Sequence, residues 1–222
     1  MRKTFLTSLV ALLCWACNES VSPATYNGIG SVEITDSLAA IHYYNRTFLF
    51  KEFPSHIGDS SRVIFMAEAT SRANDTTETF YAKVKRISPD IRRNIIFNME
   101  ATKSFGKEAG IMVRDLHLTR DFRRLDFFNI TTSFATTQNN NDKVRLVLEQ
   151  RDIANKEATL WIKHWQSNSD TLNAIGHDTM SVPMNTLISD ENSERLLLHI
   201  KWIESSGDTI TEDYTYSYFN NL

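Results

Sequence analysis

The chain has 222 residues, with 24 Lys and Arg against 27 Asp and Glu for a net charge of −3 at neutral pH. A mildly acidic balance argues against a nucleic-acid partner, and seven glycines leave little material for phosphate or dinucleotide loops. The length is enough for one or two domains held by their own cores.

Arg2 and Lys3 precede an apolar run, Phe5 to Ala16, of about twelve residues. A bilayer-spanning helix needs roughly 20, so the run reads as the hydrophobic region of an export signal. Two processing readings fit its end. A lipoprotein peptidase would cut before Cys17, with Cys14, Trp15 and Ala16 in its recognition box and Leu13 one position upstream. A general signal peptidase would use Cys14 and Ala16 as its small residues. A buried core segment has the wrong flanks. The expectation adopted is a signal peptide over 1–16, lipid on Cys17, a tether over 17–26 containing Pro23, and attachment to the outer membrane. Loss of Arg2 and Lys3 leaves 22 basic against 27 acidic residues. Cys17 becomes the last cysteine, so the mature chain has no disulfide, no thiol nucleophile and no thiolate ligand.

From Gly28 the dominant period is two. Ser31 to Ile34 starts it, and Ala40 to Phe53 reads as a hairpin around Asn45 and Arg46. After a turn at Ile57–Ser61 comes an apolar strand, Arg62 to Ala69. Thr79 to Ile87 places Phe80, Ala82, Val84 and Arg86 opposite Tyr81, Lys83 and Lys85. A short strand is expected at Arg93 to Met99. These elements suit a small barrel over 27–100. A polar stretch with Gly106 and Gly110 reads as a linker over 101–110. Strands follow at Ile111–Leu118, Arg124–Phe134, Val144–Gln150, Thr159–Trp165 and Thr179–Leu187, the last interrupted by Pro183. Arg195–Glu204 and Thr209–Tyr218 form a hairpin about Ser205–Asp208. The expectation for 111–222 is an antiparallel β-sandwich.

Together, the leader, the small barrel and the second β-domain resemble the NigD-like lipoproteins. The residues that carry the likeness are Ile111 to Leu116, Leu125 to Phe127, Met180 to Met184 with Leu187, Leu196 to Lys201, and Asp213 to Tyr218. The resemblance implies an all-β chain, an N-terminal OB-like β-barrel followed by a C-terminal antiparallel β-sandwich. The family has no established activity, and its name comes from an association with a bacteriocin locus.

The chemistry-bearing residues form no recognisable constellation. His42, His56, His117, His164, His177 and His199 lack metal-ligand spacing, although His164 and His177 are near enough in sequence to meet across a loop. Asp115, Asp126, Asp152, Asp190, Glu191 and Glu194 include no pair that spacing selects for glycoside hydrolysis. Lys83, Lys85, Arg86, Arg92 and Arg93, near Phe80, Tyr81 and Phe97, read as a solvated face rather than a nucleic-acid groove. Trp161, Trp165, Tyr214, Tyr216 and Tyr218 read as core in preference to a sugar-stacking platform. Asp-Ser/Thr motifs nominate Ser37, Thr76, Thr171, Thr179 and Thr209 for O-glycosylation, against the ordinary role of Asp-Thr in turns. The expected function is a non-enzymatic envelope lipoprotein without cofactor, metal or nucleic acid. It meets the membrane through its lipid and binds a protein or an envelope glycan. A bacteriocin-immunity role is the alternative, and a glycan hydrolase the third reading.

Overall fold

The computed structural model describes residues 23–36, 38–73, 76–137, 142–167, 172–187 and 195–216. Cys17 and the leader lie outside them. The first five strands are β1 (Thr25–Ile34), β2 (Ala39–Tyr43), β3 (Arg46–Phe50), β4 (Arg62–Arg72) and β5 (Thr79–Ile87). They close in the order β1-β2-β3-β5-β4, with β3 and β5 parallel, which is the OB arrangement. Period-two alternation sends Val32, Ile41, Phe48, Phe50, Val63 and Phe65 inward, where they form one buried cluster with Ile57. Phe80, Ala82 and Val84 pack against that cluster from β5, on the face that the alternation assigns them.

The second half contains β6 (Lys107–Ala109), β7 (Met112–Arg120), β8 (Asp126–Thr136), β9 (Lys143–Asp152), β10 (Glu157–Gln166), β11 (Ala174–Pro183), β12 (Leu196–Ile203) and β13 (Thr209–Tyr216). One sheet has the order β11-β8-β7, and the other runs β13-β12-β10-β6 with β9 also on β10. Their facing sides enclose a second apolar cluster that includes Phe128, Ile130, Leu146, Leu160, Met180, Leu198 and Trp202. The pairings are antiparallel except β10 with β12, which is parallel. A long connection, Ser167 to Arg195, separates those two strands, so a hairpin does not fix their direction.

The structure departs from the sequence reading at several segments: Thr25 and Tyr26, read as tether, open β1, and Lys107–Ala109, read as linker, pairs with β10 as β6. Arg93–Met99 adds no strand to the barrel. The chain from Ile91 instead exchanges backbone bonds with Ser181 on β11, and Ile96 then bonds Leu146 and Leu148 on β9. This segment thereby covers an open edge of each sheet, and Ile95 joins the sandwich core. Covering such edges removes a template for unwanted pairing. Its apolar residues alternate like a strand because they face a core, but that core is the second one. Pro183 ends β11 rather than interrupting it, and a 3₁₀ turn, Met184–Thr186, follows. The strand is a sheet edge, where a missing N–H is tolerated.

Candidate functional site: the cleft between barrel and sandwich

Met180 and Val182 of β11 enter the sandwich core, so Thr179 and Ser181 face the other way. The same alternation turns Asn129 of β8 and Thr119 of β7 outward, and the barrel packs against this outer face. Arg62 of β4 is the pin. It is 2% exposed. Its Nε donates to Ser181 Oγ at 3.2 Å and its Nη1 to Ser31 Oγ at 2.8 Å. Nη2 donates to Thr119 Oγ1 at 2.8 Å and to Asn129 Oδ1 at 3.2 Å. The Phe127 ring lies 4.7 Å from the guanidinium carbon. Burial pushes the Arg62 pKa down to about 10, opposed by the fields of Asp121 and Asp90. All four side-chain acceptors are neutral oxygens, so hydrogen bonds and not an ion pair hold this charge.

A second clasp is the β7–β8 turn. Phe122 stacks on the His42 ring at 4.0 Å, and Arg123 Nη2 reaches both Asp59 oxygens at 2.9 and 2.8 Å. That guanidinium, helped by the Ile34 N–H, holds the Asp59 carboxyl down to about 2.

Beside these clasps lies a groove of about 320 Å³. One wall is barrel: Gly28, Ile29, Tyr43, Tyr44 and Ile64. The other is sheet: Asp115, His117, Thr119, Thr131 and Thr179. Tyr43 and Tyr44 meet edge to face at 4.6 Å. Tyr44 opens the two-residue β2–β3 turn with φ 51°, a left-handed conformation that favours Gly or Asn. It is nevertheless 72% exposed, so core packing does not explain a tyrosine there. Burial, and next the neighbouring Tyr44, raise the Tyr43 pKa, so its hydroxyl stays a neutral donor. A side chain at Gly28 would strike the Tyr43 ring, so glycine lets the ring lie against β1. Across the groove His117 Nδ1 and Asp115 Oδ2 are 2.8 Å apart, and the Thr131 and Thr179 hydroxyls 3.3 Å apart. The result is an aromatic wall facing hydroxyls and a carboxylate, which suits a ligand with both C–H faces and hydroxyls.

The residues singled out from sequence are scattered. His164 is fully buried, with Nε2 3.3 Å from Asp142 Oδ2 and Nδ1 3.2 Å from the Gly110 carbonyl. His177 is exposed on β11, on the outer face of the other sheet, so the two do not meet. Asp126 is held by Arg120 and by the Tyr216 hydroxyl, and Asp152 caps a turn through Asn155. Asp190, Glu191 and Glu194 lie outside the described residues. Among those described, no group of three or more His, Cys, Asp or Glu is placed to hold a metal ion. In the basic cluster, Lys85 pairs with Glu68 and Arg92 with Asp90. Trp165 and Tyr216 are buried and Tyr214 packs on Phe128, whereas Trp161 sits on the outer sheet face near Lys163 and Lys201. Thr76 and Thr209 are exposed and Thr179 lies mid-strand in β11. Ser37, Thr171 and Tyr218 lie outside the described residues. Tyr43 and Tyr44 were not legible as a site, although an aromatic at a tight-turn position was the available signal.

Neither a protein-family model nor a curated protein matches the chain. Solved structures do share its fold. A Bacteroides vulgatus protein of unknown function aligns with a TM-score of 0.64 at 13% identity, over 89% of this chain and 92% of its own. A NigD-like immunity protein from Bacteroides caccae gives 0.62 at 14% identity, over 88% of this chain and 97% of its own. A Bacteroides fragilis protein named as a lipoprotein gives 0.60 at 8% identity, over 90% of this chain and 100% of its own. At such identities the likeness is one of fold: a barrel followed by a sandwich, along nearly the whole chain.

Proposed function

We propose that this protein is a non-enzymatic, lipid-anchored envelope protein, related to the NigD-like lipoproteins, that binds an envelope glycan between its two domains. The observation that carries the reading is Tyr44, exposed in a left-handed turn at the rim of a groove lined by threonine hydroxyls and Asp115. Backbone strain of this kind persists where the surroundings impose it and often accompanies function. Asp115 is the one carboxylate among the residues lining the groove, while Asp126 and Asp152 are engaged elsewhere. The groove thus lacks the carboxylate pair that glycoside hydrolysis uses, which supports binding over hydrolysis. Cys17 carries the lipid in this reading, and exposed Thr76 and Thr209 are the accessible candidates for O-glycosylation. The named immunity protein of the same fold favours a second reading, protection against a bacteriocin. Survival of a toxin-sensitive strain expressing this chain would support it.

Two measurements test the proposal. Titration calorimetry against soluble fragments of envelope polysaccharide is expected to show binding that Tyr44→Ala weakens at least tenfold. Equal affinity of the two proteins moves the ligand elsewhere. Intact mass of protein isolated from the native host is expected to exceed the polypeptide from Cys17 by its acyl chains, with sugar mass if the threonines are modified. A bare polypeptide mass removes both modifications.

A further inference from the structure

The barrel is closed by few bonds between β3 and β5. They pair only from Thr47–Leu49 to Thr79–Tyr81, after which the chain leaves through Lys51 and Glu52 while β5 runs on to Ile87. The Thr47 N–H donates to the Glu78 carbonyl, so alternation turns the backbone groups of Phe80, Ala82 and Val84 toward the same edge. The Thr70 hydroxyl, donating to the Tyr81 carbonyl from the β4 side, confirms the sense. Past Leu49 no described strand pairs with Ala82 or Val84 on that edge. A cleft of about 670 Å³ opens there, lined by Leu49, Lys51, Glu52, Tyr81 and Lys83 among others. Lys85 is engaged with Glu68, so Lys51 and Lys83 against Glu52 leave a positive rim on a protein of net charge −3.

We propose that this seam is a strand-addition site for an extended, acidic peptide segment of a partner protein. The backbone of Ala82 and Val84 supplies hydrogen bonds, and the lysines select carboxylates. Leu49 and Tyr81 give an apolar side chain of the peptide a place to settle. The site is separate from the groove holding Tyr44, so Tyr44→Ala leaves it intact and the two proposals fail independently.

The test is a blocked octapeptide alternating valine and glutamate, titrated into the full-length chain and followed by backbone amide shifts. Binding is expected to perturb Ala82 and Val84 first. N-methylation of alternate peptide residues removes edge hydrogen bonds without changing charge, and is expected to weaken binding at least tenfold in one of the two registers. The double variant Lys51→Glu, Lys83→Glu is expected to lose a similar factor. Absence of binding at millimolar peptide, or equal affinity for both N-methylated forms and the parent, overturns the proposal. Perturbation confined to residues away from β5 does so as well.

Discussion

Replacing Arg62 with alanine is expected to lower stability by about 3 kcal/mol and to separate the melting of the two domains. A hydrogen bond to a charged group contributes roughly 1.5–3 kcal/mol, and Arg62 makes four from its side chain. Against them stands the desolvation of a guanidinium, several kcal/mol for a buried ion, which is why the net figure is smaller than the sum. The three partners in the sandwich retain each other: Ser181 Oγ donates to Asn129 Oδ1 at 2.8 Å and Asn129 Nδ2 to Thr119 Oγ1 at 2.7 Å. Ser31 on the barrel side loses its arginine donor and stays buried. The damage therefore falls on the contact between domains more than on either core. Calorimetry should show one transition in the wild type and two in the variant. An unchanged single transition would show that Arg62 does not couple the domains. Arg62→Lys is expected to recover only part of the loss, because one ammonium cannot reach acceptors on β1, β7, β8 and β11 together.

His164→Ala is the second large effect, expected to cost about 3 kcal/mol. The Asp142 side chain is 2% exposed. Burial would raise its pKa, but the Ser167 N–H, the Thr136 hydroxyl, the His164 ring and the Ser167 hydroxyl outweigh burial and hold the carboxyl below its ordinary value of 3.8. Removing the ring takes one donor from a buried anion and leaves a void against Phe134, whose ring lies 4.2 Å away. The pH dependence has a definite sign. A carboxyl with a lowered folded-state pKa stabilises fully above its unfolded value, and that contribution disappears as pH falls through the folded value. Stability of the wild type should decline below about pH 4. Asp142→Asn should be less stable at neutral pH and show a flatter acid limb. An acid limb identical in the two proteins would remove Asp142 from this role.

Period-two alternation located most strands and their buried faces. Thr79–Ile87 has the expected bounds, and Leu196, Leu198, Ile200 and Trp202 line one buried face of β12. Alternation is a local property of the chain, and burial of one side is enough to write it into the sequence. The same property misled at Arg93–Met99, because it reports that a face is buried without saying against which core. His164 and His177 show a similar limit: twelve residues (165–176) separate them along the chain, yet a sheet lies between them.

By itself, then, the sequence determined an all-β chain in two parts and the apolar positions that build each core. Only the tertiary structure decided what the polar residues do. Ser31, Arg62, Thr119, Asn129 and Ser181 look like ordinary strand residues when read singly, and they form one buried network because three sheet strands and two barrel strands converge there. The groove beside them has the same origin. Its walls come from residues 28 and 179 alike, and no local pattern records which distant strands will face each other.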